Sequence, residues 1–290
     1  MARSVRPGYM GIARIGSHTI RCTSFDVNPN QSSSFYDHVI GINDTVPSTS
    51  ATKGEALHTR KTQKRIWRPS VIEVSGGMAF PATVAGGGGT AVLDVFSLAA
   101  YADYFDLDFW YYCNIGKSFK NCRINTFGFD ISAGGILNIN LSVLGMNIID
   151  SGFEPMKKVS EKLVTWDTVK ITVDNYSPIE NVLITGFNFE INNNLSNIYT
   201  NGPISPGSLK PHDIRAGMQS VSGSIRIFLD QGQEFIPINA IDYSEIKIES
   251  PVLNTTIHAV FQSNQMSGSV GPIITELPFV GVDKYFYGGF

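Results

Sequence analysis

Alternation of apolar and polar residues over two long segments constrains this chain more than any other feature. In NVLITGFNFEI, from Asn181, apolar Leu183, Phe187, Phe189 and Ile191 alternate with Gly186, Asn188 and Glu190. That period of two belongs to a half-buried strand. In IRAGMQSVSGSIRIFLD, from Ile214, Ile225, Ile227 and Leu229 alternate with Arg226 and end at Asp230. The polar run Asn192, Asn193, Asn194 and the loop LSNIYTNGPISPGSLKPHD separate the two segments. Such segments build sheets and carry no catalytic motif.

The middle of the chain repeats the pattern. Between Arg123 and Ile131, residues Phe127, Phe129 and Ile131 share a face. Gly134 and Gly135 then turn the chain into ILNINLSVLGM, where Leu137, Ile139, Leu141 and Val143 oppose Asn138, Asn140 and Ser142. This predicts a long hairpin with one apolar face and one amide/hydroxyl face. A face of Asn and Ser suits either an ordinary solvent surface or a wet lumen. Val169, Ile171 and Val173 alternate likewise with Lys170, Thr172 and Asp174. One helix is expected over Ala91–Phe105, where Val92, Val95, Phe96, Ala99 and Ala100 recur at helical spacing and Thr90 can cap the start. A poorer helix pattern covers Phe235–Tyr243, with Pro237 inside it.

Two blocks share an order of parts. Thr23-Ser24-Phe25 leads into a polar turn at Asn28-Pro29-Asn30-Gln31, a long loop and the strand RPSVIEVSGGMAF. Thr185-Gly186-Phe187 leads into Asn192–Asn194, a loop and RAGMQSVSGSIRIF. Both second strands contain Val-Ser-Gly, at Val74–Gly76 and Val221–Gly223. The match is short and gapped: a divergent duplication and chance reuse of strand patterns both produce it. The organisation expected is a first β block over 1–110 ending in the helix and a second, larger block over 111–290.

Charge is sparse, at 16% of residues, and the net charge is −3, which gives no global pull toward nucleic acid or an anionic surface. Low surface charge also suits a protein covered by copies of itself. The stretch Lys53–Arg68 departs from this. Its six basic residues and one acid leave it at +5, so the remainder of the chain carries −8. Lys53, Arg60, Lys61, Lys64, Arg65 and Arg68, with Trp67 at the base, form a candidate contact loop for an acidic neighbouring subunit; a solvated loop or a nucleic-acid contact fits the same residues. No apolar run approaches the roughly 18–20 residues that span a bilayer, and the N-terminal MARSVRPGYMGIARIG lacks the apolar core of a secretory signal.

Motifs of chemistry are weak. Gly116-Lys117-Ser118 lacks the upstream glycine of a phosphate loop, since Tyr111 stands there. His18, His38, His58, His212 and His258 show no zinc spacing. Asp103, Asp106 and Asp108 lack the glycine and terminal glutamate of a calcium loop, leaving at most a weak ion site. Cys22, Cys113 and Cys122 read as buried free thiols, with an inter-subunit disulfide as the lesser alternative. No catalytic residue, metal site or cofactor is expected, and the protein is read as a non-enzyme.

The order of a GF-x-F strand (Gly186, Phe187, Phe189), an Asn-rich turn, a variable loop and I-R-x-G-M-x-x-V-x-G-S-I (Ile214 to Ile225) resembles the tail tube proteins of tailed bacteriophages. The resemblance is clearest over Trp166–Asp230 and looser through Pro69–Pro81 and Cys122–Met146. It implies a mainly β, antiparallel sandwich or barrel-like fold with one or two short helices. It also implies a structural virion protein, made in the host cytoplasm, that self-assembles into stacked rings through which DNA passes. The partners so implied are copies of the chain itself and other tail proteins such as a sheath, tape measure or baseplate component. Two tube-type blocks would give a ring of three chains, one decorated block a ring of six. Loops and arms bridge rings in such tubes, which assigns that work to the basic loop and to the aromatic C-terminal arm of Tyr285, Phe286, Tyr287 and Phe290. A carbohydrate-binding or adhesin sandwich, with Trp110, Tyr111 and Tyr112 stacking on sugars, is the alternative from another class.

Overall fold

The structure is a computed structural model that describes residues 11–39, 63–85, 91–111, 115–151, 161–174, 183–199, 210–229, 244–262 and 273–282. The N-terminal part comprises β1 (Gly11–Ile15), β2 (His18–Cys22), β3 (Ser24–Val39), β4 (Gln63–Pro81), β5 (Thr83–Ala85) and the helix α1 (Ala91–Tyr101). It continues through β6 (Phe105–Tyr111), β7 (Ile115–Ser132), β8 (Asn138–Gly145) and β9 (Asn147–Ser151). The C-terminal part contains β10 (Glu161–Leu163), a single 3-10 turn (Trp166–Thr168), β11 (Lys170–Asp174), β12 (Leu183–Asn192) and β13 (Ser196–Ile198). It ends with β14 (Asp213–Arg215), β15 (Ser220–Leu229), β16 (Ser244–Glu249), β17 (Asn254–Phe261) and β18 (Ile273–Gly281).

A wide antiparallel sheet runs β11-β16-β17-β18-β15-β12-β7-β8-β4-β3, and a smaller one runs β7-β6-β1-β2. β7 belongs to both. Its N-terminal half pairs with β6 and β9, its C-terminal half with β8 and β12. The change of partners coincides with Asn121, in the left-handed region at φ 52°, and a register shift between Ile124 and Thr126. Such irregularities bend a strand and increase its twist, so one strand crosses from one layer to the other. β8 and β9 are continuous but for Met146 and therefore line one side of β7, while β6 followed by β12 lines the other. Among the described residues the sheet does not close into a barrel; the fold is a mainly β, antiparallel sandwich with one α-helix.

Phenylalanines fill the space between the layers. Phe127, Phe129, Phe187, Phe189 and Phe279 on the wide sheet are fully buried. Phe129 stacks on Phe189 (5.2 Å between centroids) and Phe187 on Phe279 (5.9 Å), and the edge of Phe96 on α1 meets Phe127 and Phe189. At the β3 end, Phe25 stacks on Phe109 of β6, so the smaller sheet covers the part of the core that α1 does not reach.

The same strand order occurs twice. In the first half it is β1-β6-β7-β8-β4-β3; in the second it is β11-β16-β17-β18-β15-β12. Corresponding strands also follow the same order along the chain. The register agrees with the sequence match. Phe25, Val27 and Pro29 pair with Met78, Gly76 and Val74, as Phe187, Phe189 and Ile191 pair with Ile225, Gly223 and Val221. A Cβ on Gly76 would press on the Asp26 carbonyl oxygen at 3.0 Å, and one on Gly223 would strike the Asn188 carbonyl oxygen at 2.3 Å. Asp26 and Asn188 occupy corresponding positions, so the two glycines answer the same close approach of backbone.

Several elements differ from expectation. The polar turn anticipated at Asn28–Gln31 is strand, because β3 runs on to Val39 with only a register shift between Gln31 and Ser33. Its partner β4 begins at Gln63, so Lys64, Arg65, Trp67 and Arg68 lie in a paired strand and not in a loop. The helix stops at Tyr101, short of Phe105: Ala102 takes φ 51°, and the Asp103 amide donates back to the Leu98 carbonyl. The single strand expected from Ile214 is broken into β14 and β15. The Gly217 amide there donates to the Asn193 carbonyl, out of the ladder. Thr90 and the helix pattern over Phe235–Tyr243 lie outside the described residues.

Candidate assembly surfaces

The face of the wide sheet opposite the phenylalanines carries small amides and hydroxyls. Register places Ser24, Ala79, Asn140, Gly128, Glu190 and Ser222 in one row across β3, β4, β8, β7, β12 and β15. A second row contains Asp26, Gly77, Ser142, Thr126, Asn192 and Ser220. Cross-strand hydrogen bonds tie parts of this face together. Thr126 and Ser142 share one between hydroxyls at 2.7 Å, and the Asn188 amide donates to the Ser224 hydroxyl at 2.9 Å. Basic residues are absent from both rows, and Asp26 and Glu190 are their acids. Alternation in β8 comes out as anticipated, with Ile139, Leu141 and Val143 buried and Asn138 and Asn140 exposed.

β3 and β4 form a long two-stranded hairpin whose ladder extends to Val39 and Gln63. Along it Arg65 is opposite Asp37, Lys64 opposite His38, Trp67 opposite Phe35 and Arg68 opposite Ser34. Lys53, Arg60 and Lys61 lie outside the described residues, as do the arm residues Tyr285, Phe286, Tyr287 and Phe290.

A polar clasp fixes the connection between β12 and β15. The Asn193 side chain is buried and donates to the Ala99 carbonyl at 2.7 Å and the Ile124 carbonyl at 2.8 Å. Gln219 donates to the Ala100 carbonyl at 3.0 Å and to Asn193 Oδ1 at 2.7 Å. The last turn of a helix leaves its carbonyls without intrahelical partners, and here two side-chain amides from a distant turn supply them. Asn194, at φ 47°, donates its amide to the Met218 carbonyl at 2.6 Å. Nearby, the Tyr104 hydroxyl donates to Asp213 at 2.6 Å and accepts from the Ile214 amide at 3.1 Å, with the Arg123 guanidinium 3.9 Å above its ring. Burial first and the Asp213 hydrogen bond second raise the Tyr104 pKa; the same bond holds Asp213 low.

The smaller sheet carries a ladder of ion pairs. Arg14 meets Asp108 (2.5 Å), Lys120 meets Asp106 (2.8 Å) and Lys117 meets Asp150 (2.5 Å). Burial opposes charge on Asp108, but the Ser118 side chain on the paired strand and the Arg14 guanidinium outweigh it and hold the carboxyl below the ordinary carboxylate range. Two of the three aspartates singled out as a weak ion site are thus engaged by cations of the chain. Among the described residues no group of histidines, cysteines and acids has metal-ligand geometry. Gly116–Ser118 is strand rather than a phosphate loop, and Trp110 is buried under Arg14, its ring 5.3 Å from the guanidinium, so it offers no open stacking platform. Cys22 and Cys122 are buried free thiols, each pushed up to about 12 by burial; Cys113 lies outside the described residues. No helix among the described residues is long and apolar enough to cross a membrane.

Sequence pattern did not single out Asn193 or Gln219. An Asn in a polar run reads as solvated turn, and only the tertiary contact with α1 gives it a buried role.

Among the described residues this is a two-layer antiparallel β-protein whose polar groups spread over sheet faces and hairpins. The chain matches the family model for phage tail tube protein over residues 59–279, and it belongs to that family. A search of curated proteins finds no match.

Proposed function

We propose that the chain is the repeating subunit of a phage tail tube, self-associating into closed rings that stack into the channel for DNA ejection. One observation carries this reading: a wide sheet buries one face in phenylalanine and lines the other mainly with amides and hydroxyls, with Asp26, Asp130, Glu190 and the Arg226–Glu276 pair among them. Its acids Asp26, Asp130 and Glu190 outnumber its one cation among these rows, Arg226, which is paired with Glu276, so the face offers a passing phosphate backbone little to hold it. The polar face is therefore assigned to the lumen. The repeated six-strand order supports two tube-type blocks per chain and a ring of three chains with pseudo-sixfold symmetry.

Inter-ring contact falls to the hairpin of β3 and β4, with the basic set Lys53, Arg60, Lys61, Lys64, Arg65 and Arg68 beside Trp67, and to the C-terminal arm of Tyr285, Phe286, Tyr287 and Phe290. Sheath, tape measure or baseplate proteins are the further partners, and assembly is assigned to the host cytoplasm before incorporation into the virion tail. No catalytic residue is assigned. Negative-stain electron microscopy of the concentrated protein tests the reading. Hollow tubes or rings with threefold or sixfold averages are the expected result, and particles that stay single both alone and with an initiator complex from the same tail would overturn it.

A further inference from the structure

The two six-strand sets correspond position by position on the polar face. Their registers align Ser24, Asp26, Gly77, Ala79 and Asn140 of the first set with Gly186, Asn188, Ser224, Arg226 and Glu276 of the second. In the second set this place is occupied by the chain's own side chains. Arg226 lies across Gly186, where a Cβ would come within 3.3 Å of its Cδ, and its Nε is 3.8 Å from Glu276. The Ser224 hydroxyl donates to Glu276 and accepts from the Asn188 amide at 2.9 Å.

In the first set the same place is a depression of about 340 Å³, lined by all five counterparts. Gly77 and Ala79 stand where Ser224 and Arg226 stand, so the hydroxyl and the guanidinium are both missing. Met78 between them turns its side chain into the core. The acid is kept, but on a different strand: Asp26 of β3 is exposed at the rim, with the Ser24 hydroxyl and the Asn140 amide beside it.

We propose that this depression is a binding site for a guanidinium-headed alkyl cation, seated where Arg226 lies in the second set. A guanidinium carries five N–H donors in one plane and no acceptor. Asp26 accepts from it with the assistance of opposite charge, and the Ser24 and Asn140 oxygens accept its remaining N–H groups. The alkyl stem lies along Gly77 and Ala79, as the stems of basic side chains lie on apolar surface. Charge selects this ligand over an anion, because the two rows that cross the depression contain Asp26 and Glu190 and no basic residue. A free small cation and an arginine side chain of another polypeptide present the same chemistry.

Saturation-transfer NMR on the full-length, unassembled chain tests the site with n-butylguanidinium and its neutral isostere n-butylurea, so the result does not depend on ring formation. Transfer to butylguanidinium and not to butylurea is expected. It is lost in Asp26→Asn, and in Ala79→Arg, which supplies the cation from within the chain as the second set does. Arg226→Ala vacates the counterpart place beside Glu276 and is expected to raise the transfer above wild type. Equal transfer to the two probes, or a butylguanidinium signal that survives both Asp26→Asn and Ala79→Arg, would overturn the proposal. Thermal melts of Asp26→Asn, a near-isosteric change at an exposed position, separate lost binding from lost fold: absent transfer with a wild-type melt supports the site. Acetyl-Gly-Arg-Gly-amide distinguishes the sources, since transfer to it as well assigns the site to a polypeptide arginine and its exclusion assigns it to a free cation.

Discussion

Asn193, in the turn after β12, donates its side-chain amide to the carbonyl of Ala99 in the last turn of α1, at 2.7 Å. One buried residue thereby joins a loop of the second strand set to the helix of the first, and Gln219 holds the far side of the same amide. The Asn193 side chain is buried, so its amide cannot exchange these partners for water without opening the core.

Replacing Asn193 with Ala removes one donor from each of the Ala99 and Ile124 carbonyls and one of the acceptors of Gln219, while Ala99 still accepts from the Ala102 amide at 3.3 Å and Gln219 still donates to the Ala100 carbonyl. With the remaining partners offsetting part of the loss, the variant is expected to lose about 1–3 kcal/mol. Urea unfolding of the unassembled chain measures it; a midpoint within experimental scatter of wild type would contradict the role given to the clasp.

Two glycines of the wide sheet predict opposite outcomes. A methyl group on Gly223 would lie 2.3 Å from the Asn188 carbonyl oxygen and 2.4 Å from the ring of Phe279. On Gly128 the nearest atom is Asn140 Cβ at 3.4 Å, ordinary contact. Overpacking a sheet interior against backbone costs about 1–3 kcal/mol and sometimes more, so Gly223→Ala is expected to lower the melting temperature strongly and Gly128→Ala hardly at all. Equal melting temperatures for the two variants would refute the difference.

Asp108 carries the pH dependence. Its carboxyl titrates lower in the folded protein than in the unfolded chain. Its stabilising contribution is therefore complete above the unfolded value near 4 and is lost as pH falls through the lower folded value. Thermal melts of wild type and Asp108→Asn are expected to differ most near neutrality and to converge as pH falls through the folded value of the carboxyl. A gap that widens on acidification would reverse the sign and exclude this account.

Thiol chemistry offers a check on the core. With values near 12, Cys22 and Cys122 remain protonated at pH 8 and are shielded. Peptide mapping after treatment with a disulfide reagent should find neither labelled in the native protein and both labelled in urea. Labelling of Cys122 under native conditions would mean that the bend of β7 opens.

Tyr104→Phe removes the hydroxyl that bridges Asp213 and the Ile214 amide while leaving the ring beneath Arg123. Faster hydrogen exchange across 210–219 is expected, with little change in the global unfolding midpoint. Exchange identical to wild type would show that Arg123, which donates to the Ile214 carbonyl at 2.7 Å, suffices to hold the segment.

Sequence periodicity carried much of the fold, for an identifiable reason. β8, β12 and β15 each bury one face only, so Leu141, Phe189 and Ile225 alternate cleanly with Asn140, Glu190 and Arg226. The pattern failed where local chemistry and tertiary pairing disagree. Asn28-Pro29-Asn30 has the composition of a turn, yet β4 holds it extended as part of a long hairpin. Ile214 and Val221 look like one strand, yet Asn193 and Asn194 pull the residues between them out of the ladder. The six basic residues near Trp67 read as a loop because charge is rare in buried strands, and three of them lie in β4 instead. Partner choice, such as β7 accepting β12, is fixed by contacts between residues far apart in sequence and leaves no local periodic trace. The polar face was visible residue by residue, but its width was not, since that depends on how many strands align.

β7 has a mechanical consequence. In most sandwiches the two layers touch only through side chains, and one can slide over the other by repacking rotamers. Here a single strand is hydrogen-bonded into both layers, so sliding requires breaking backbone ladders on each side of Asn121. The two layers therefore deform as one beam: shear applied at the wide sheet is carried by the peptide chain itself into the small one, and the subunit is stiff against twist in the direction where side-chain packing alone would yield.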